Sequence, residues 1–139
     1  MKELPRTKNA LVLRTDFADD AGWKSISSAI RLPVGDFRAL VDCVSDPEFD
    51  GFTAEQLTAM SQDDASRTFV FVVDQTALTH PDHPILVVDF FDQPGRTFRV
   101  IPAEVWSVEN NLSISNMEFH EFADNVDDDG IFRGFTKPA

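Results

Sequence analysis

The chain has 139 residues, a length suited to one domain, and its hydrophobic content of 42% supplies a core and excludes a disordered chain. Its 24 Asp and Glu against 12 Lys and Arg give a formal net charge of −12, which argues against nucleic acid and against anionic membrane surfaces as partners. The single cysteine excludes an internal disulfide, and no apolar run approaches the roughly 18 residues of a bilayer span, so a cytoplasmic address is expected.

Residues 1–9 read as a flexible basic tail, and residues 10–139 as one domain. The apolar run Ala10-Leu11-Val12-Leu13, closed by Arg14, is too short for a signal peptide and reads as a buried strand. Asp19 or Asp20 can cap a helix with Trp23, Ile26 and Ile30 on one face, ended by Pro33. Phe37 to Cys43 alternates as a strand does, with Phe37, Ala39, Val41 and Cys43 sharing one side. Thr53 and Gln56 form a capping box, and Phe52 and Leu57 occupy the hydrophobic-staple positions, so a helix starts at Thr53.

TFVFVVD (68–74) and PILVVDFFD (84–92) lack alternation, as strands covered on both faces do. The ten residues between them suit a loop or a single helical turn. DQPGR is a turn, TFRVI (97–101) a strand, and the last two strands are expected to form a hairpin. Pro102 can open a helix carrying Val105, Val108 and Leu112, ended by Asn110-Asn111. Ser115 with Glu118 makes a second capping box, stapled by Ile114 and Phe119, for a helix with Phe119, Phe122 and Val126 inside. The order β-α-β-α-β-β-β-α-α predicts an α+β domain: a mixed sheet of about five strands with about four helices packed on it.

Charge is segregated along the chain. No Lys or Arg lies between Arg38 and Arg67, nor between Arg99 and Arg133, and these stretches hold fifteen of the acids. Either they keep the surface soluble, or they meet a basic protein. In the second case the expected contacts are Asp46, Glu48, Asp50, Asp124, Asp127, Asp128 and Asp129, with Trp106 as an apolar anchor. Trp106 can equally be a buried ring beside two capping amides, Asn110 and Asn111.

NVDDDGIFRGFT (125–136) approaches a calcium loop. Gly130 at position 6 places Asp127 and Asp129 at positions 3 and 5 as metal candidates, but position 1 is Asn125 and position 12 is Thr136, which has no bidentate carboxylate. The favoured reading makes Gly130 a helix C-cap. Three aspartates at a helix C-terminus oppose its dipole, which calls for Arg133 folding back, a cation or a basic partner.

Asp16, Asp74 and Asp89 each follow an apolar strand and can gather at a carboxyl edge as a metal or acid–base set; antiparallel pairing of the strands before Asp74 and Asp89 would separate them. His80, Asp82 and His83 lie in HPDHP, whose prolines indicate a rigid surface loop rather than a zinc site. Cys43 shares the face of Phe37, Ala39 and Val41, which favours a buried, inert thiol over a nucleophile. No phosphate-binding glycine loop or nucleophile elbow occurs, and no cofactor is expected.

Four stretches carry a family resemblance: LVLRTDF (11–17), ILVVDFF (85–91), PGRTFRVIPAEVWSVENNLSI (94–114) and NMEFHEFADNVDDDGIFRGF (116–135). With them the chain resembles a family of small uncharacterised bacterial domains found mostly in actinobacteria. The resemblance spans nearly the whole chain and brings no catalytic residues. In style the chain is also similar to small acidic immunity proteins encoded beside toxins. The resulting expectation is a non-enzymatic acidic module that docks on a basic protein. A metal-dependent enzyme using the strand-end aspartates and a structural homodimer are the alternatives.

Overall fold

A computed structural model describes residues 3–62, 64 and 66–135. The strands are β1 (Ala10–Arg14), β2 (Val41–Val44), β3 (Phe69–Val73), β4 (Ile85–Asp89), β5 (Thr97–Val100) and β6 (Ile131–Phe132). The helices are α1 (Asp20–Arg31), α2 (Ala54–Ser61), α3 (Gln75–Thr79), α4 (Val105–Ser113) and α5 (Phe119–Ala123). The six strands make one mixed sheet in the order β2-β1-β3-β4-β5-β6, in which β4 alone runs against the others. The fold is therefore α+β as expected, with one strand and one short helix more than the sequence pattern indicates.

The lack of alternation in the central strands has a direct cause. Leu11, Leu13, Val70 and Val72 point to one side, where they pack with Leu4, Phe49 and Leu57. Val12, Phe71 and Val73 point to the other, against Trp23, Ile26 and Ile30 of α1, Ala77 and Leu78 of α3, Val105 and Val108 of α4, and Phe119 and Phe122 of α5. Both faces are dry, so both sets must be apolar. Leu4 belongs to the stretch read as a loose tail, yet it is buried in the first of these clusters.

Local signals set the helix starts. Asp19 caps α1 by accepting the Gly22 N–H at 2.8 Å. Thr53 and Gln56 close the expected capping box on α2 at 3.2 and 2.8 Å. Leu32, before Pro33, turns extended and ends α1.

Four expectations need correction. Phe37 to Leu40 is not strand: Val34 and Phe37 form an isolated bridge, and β2 begins at Val41. Helix α5 is capped by Glu118, boxed with Glu121, rather than by Ser115, whose φ of 56° places it in a left-handed turn. Gly130 is no helix cap; its φ of 81° serves a turn in which its N–H meets Asp127 O at 2.9 Å, leading into β6. Helix α4 also runs past Asn110-Asn111 to Ser113.

Phe122 joins the last strand to the core, contacting Phe98, Phe132 and Phe135 with centroids 5.2–6.2 Å apart. Phe122→Ala is expected to cost roughly 3–5 kcal/mol in urea unfolding, with little change in m-value.

Candidate functional site

The chain passes from β1 through α1 to β2 on one side, then through α2 to β3 on the other. These helices cover opposite faces, so the carboxyl ends of β1 and β3 form the switch point where open α/β sheets commonly bind ligands. Arg14 closes it. Its guanidinium is almost fully buried, donating to Asp16 O at 2.9 Å, Ser45 Oγ at 3.3 Å and Asp20 Oδ1 at 2.7 Å. The Phe17 and Trp23 rings lie 4.4 and 5.7 Å from it. Every arm is used, as a buried cation requires.

The strand-end aspartates do not gather. Asp16 and Asp74 lie at this carboxyl edge, but Asp89 ends the reversed strand β4, opposite Phe69 at the start of β3. Each carboxylate has structural partners. Asp16 accepts the Ala18 N–H at 3.0 Å. Asp74 caps α3 through Ala77 N and takes a bidentate pair from Arg99 at 3.0 and 2.7 Å. Asp89 is 2% exposed and accepts the N–H groups of Phe91 and Gln93 at 2.9 and 2.8 Å, holding the β4–β5 turn. Among the described residues, no group of three or more His, Cys, Asp or Glu is arranged to hold a metal ion.

The acidic loop before β6 is compensated from within. Arg133 folds back and pairs with Asp127 at 2.9 Å, Asp129 at 2.9 Å and Asp82 at 2.7 Å. One guanidinium thereby engages both candidate carboxylates of the calcium-like loop, whose last position, Thr136, lies outside the described residues, and also holds Asp82 of the histidine trio. His80 Nδ1 accepts the Asp82 N–H at 3.0 Å, and His83 Nδ1 lies 3.0 Å from Ala77 O. Asp124 is held by Arg96, whose hydrogen bond keeps its carboxyl below the usual range. Asp128 is exposed.

The other acidic stretch sits elsewhere. Asp46 caps a short 3-10 turn, Pro47–Phe49, through Glu48 N, and Asp50 is exposed. This turn follows β2, whereas Asp124 to Asp129 precede β6. Those strands are opposite edges of the sheet, about 24 Å apart at the usual strand spacing. The two acidic stretches therefore do not form one patch.

The surface that sequence reasoning missed lies at residues 32–40. This loop crosses α4: Phe37 stacks on Trp106 with centroids 4.7 Å apart and planes 14° off parallel. Glu109, 3% exposed, accepts the Leu40 N–H, the Asn110 amide at 2.9 Å and the Ser113 hydroxyl at 2.7 Å. Asn110 also donates to Arg38 O at 3.1 Å. Trp106, Glu109 and Asn110 thus act together as a clamp. The clamped loop leaves Leu32, Val34, Phe37 and Leu40 exposed, and Ile114 at the end of α4 is exposed as well. The unusual signal was LPVGDFRAL itself, too apolar for a surface loop yet broken by Pro33 and Gly35.

Cys43 is half-buried on edge strand β2, and burial raises its thiol pKa, which weakens it as a nucleophile. Burial also raises the carboxyl pKa of Glu104, beside the root of α4.

The chain belongs to the family described as Domain of unknown function (DUF6924), whose model matches residues 9–135. The match contains all four stretches that carried the resemblance. No curated protein matches the chain.

Two outcomes follow. Arg133 hydrogen bonds hold the Asp129 carboxyl below its ordinary value, so this contribution is present above the unfolded pKa of about 3.9 and fades as pH falls through the lower folded value. Arg133→Ala should lower Tm at neutral pH, and its deficit against wild type should shrink below about pH 3.5. Glu109→Ala should destabilise the chain by roughly 2–3 kcal/mol and speed hydrogen exchange at Leu40, because three donors lose their acceptor.

Proposed function

We propose that the chain is a non-enzymatic protein-binding module whose contact surface is the clamped apolar loop at residues 32–40. One observation carries this reading: four large apolar side chains of one short loop face solvent, while Glu109 and Asn110 hold the loop's backbone in place. Scattered exposed hydrophobics are ordinary, but a group on one pre-formed segment indicates a binding surface. The Phe37–Trp106 stack supplies the aromatic anchor typical of such surfaces.

The partner fits best as a basic protein of the cytoplasm. The net charge of −12 would steer a cationic protein inward and disfavour nucleic acid and anionic membranes. Asp46, Glu48, Asp50 and Asp128 would contribute to that long-range field rather than to one contact patch, while Asp124, Asp127 and Asp129 spend part of their charge on arginines. A partner of the toxin or nuclease kind, held inactive, suits this chemistry. The cytoplasmic setting is supported by the lone, half-buried thiol, and no described helix is long and apolar enough to cross a membrane. A catalytic role for Asp16, Asp74 and Asp89 has no comparable support, given their separation and their structural partners.

Phe37→Ser alters an exposed residue and should leave folding intact. With immobilised wild-type chain and an extract of the source organism, a basic protein should be retained at low salt and released as salt rises. Phe37→Ser should weaken retention by about tenfold or more. Retention equal in wild type and variant overturns the reading. If light scattering shows wild type dimerising with concentration and Phe37→Ser monomeric, the surface serves a homodimer instead.

A further inference from the structure

The amino ends of β1 and β3, opposite the switch point, open into a cleft of about 520 Å³ between the N-terminal segment, the start of β3 and the end of α4. That volume falls within the range of small-molecule sites. Apolar lining comes from Leu11, Leu40, Phe69 and Ile114, and positive charge from Lys8 and Arg67. Arg67 is the informative group. Its Nη2 donates to Pro5 O at 2.6 Å, but its Nη1 is buried and meets no acceptor among the described residues. Buried donors are almost always satisfied, and a missing partner calls for an explanation. Burial lowers the Arg67 pKa, and the nearby Asp64 charge opposes this only in part. Arg14, Arg96, Arg99 and Arg133 each pair with an aspartate.

The remaining polar lining does not supply the absent acceptor. Glu109, the one carboxylate among the described lining residues, is engaged by Leu40 N, Asn110 and Ser113. Asp64, close enough to act on Arg67 electrostatically, accepts from Ser66 N and Oγ. A guanidinium short of an acceptor beside an apolar wall matches a ligand with an oxyanion head and a hydrocarbon body.

We propose that this cleft binds a small amphiphilic oxyanion, its carboxylate or phosphate head on Arg67 and Lys8 and its apolar body against Leu40, Phe69 and Ile114. The head displaces the Pro5 carbonyl or completes the guanidinium beside it, and Lys8, exposed at the mouth, adds charge without burial cost. The site stands apart from the protein-binding reading: it needs no partner protein, although Leu40 and the clamp residues Glu109 and Asn110 belong to both.

Amide NMR titration of the whole chain with hexanoate, hexyl phosphate and hexanol tests it. Either acid should give saturable shifts at residues 8–11, 66–69 and 109–114, and the stronger of the two identifies the head group. Hexanol should give none. Arg67→Gln should weaken the response by about tenfold and Lys8→Gln by a few-fold. Lys8 is exposed, so its variant keeps the test decisive should Arg67→Gln not fold. Absence of saturable shifts with both acids, equal affinity in the variants, or equal response to hexanol overturns the proposal.

Discussion

The central strands β1 and β3 must satisfy two dry faces with successive residues, and most of the architecture follows from that. Leu11 and Leu13 serve one core while Val12 between them serves the other. A slip of one residue would exchange every one of these side chains, so register is strongly specified. With the strands apolar throughout, charge can enter only where they end. Arg14 stands at the last residue of β1, Asp74 just past β3 and Asp89 at the close of β4. Each is then enclosed by neighbouring caps and turns. The ends of the sheet are consequently the only places near its centre where chemistry can be arranged. One end is closed by Arg14; the other is open around Arg67.

How far the sequence predicts this depends on the range of the interaction. The unbroken apolar runs of β3 and β4 announce burial on both faces because no polar residue interrupts them. The α2 start is legible because Thr53, Gln56, Phe52 and Leu57 state it twice within six residues. The α5 start is not, because Ser115–Glu118 and Glu118–Glu121 offer overlapping capping boxes. Burial of Phe119 and Phe122 selects the second, and that selection is tertiary. Strand β6 has two residues and exists through pairing with β5, so no local pattern could mark it. Phe37 to Leu40 alternates convincingly, but the Trp106 ring and the Glu109 carboxylate draw it out of the sheet.

Charge shows the same division. Along the chain the acids look unrelieved, because some of their partners lie far away in sequence. In space Arg133 reaches Asp82 as well as its own loop, Arg96 reaches Asp124, and Arg99 reaches Asp74. Folding converts a segregated sequence into a surface where several acids are already paired. What remains of the −12 acts as a diffuse field, and a diffuse field selects partners by rate more than by contact. Under the proposed protein-binding reading, specific recognition then falls to the pre-formed apolar loop.

The parallel pairing of β1 with β3 has one more implication, for how the molecule is reached. Val12 lies beside Phe71, some sixty residues on, whereas β3, β4 and β5 follow one another closely and pair in antiparallel fashion. Closing the longer loop costs more entropy and is repaid only when both faces are covered. A nascent chain can therefore assemble the meander early, while β1 waits as an apolar strand with two bare sides. The segment that most firmly defines the finished molecule is also the one most open to mispairing before it is complete.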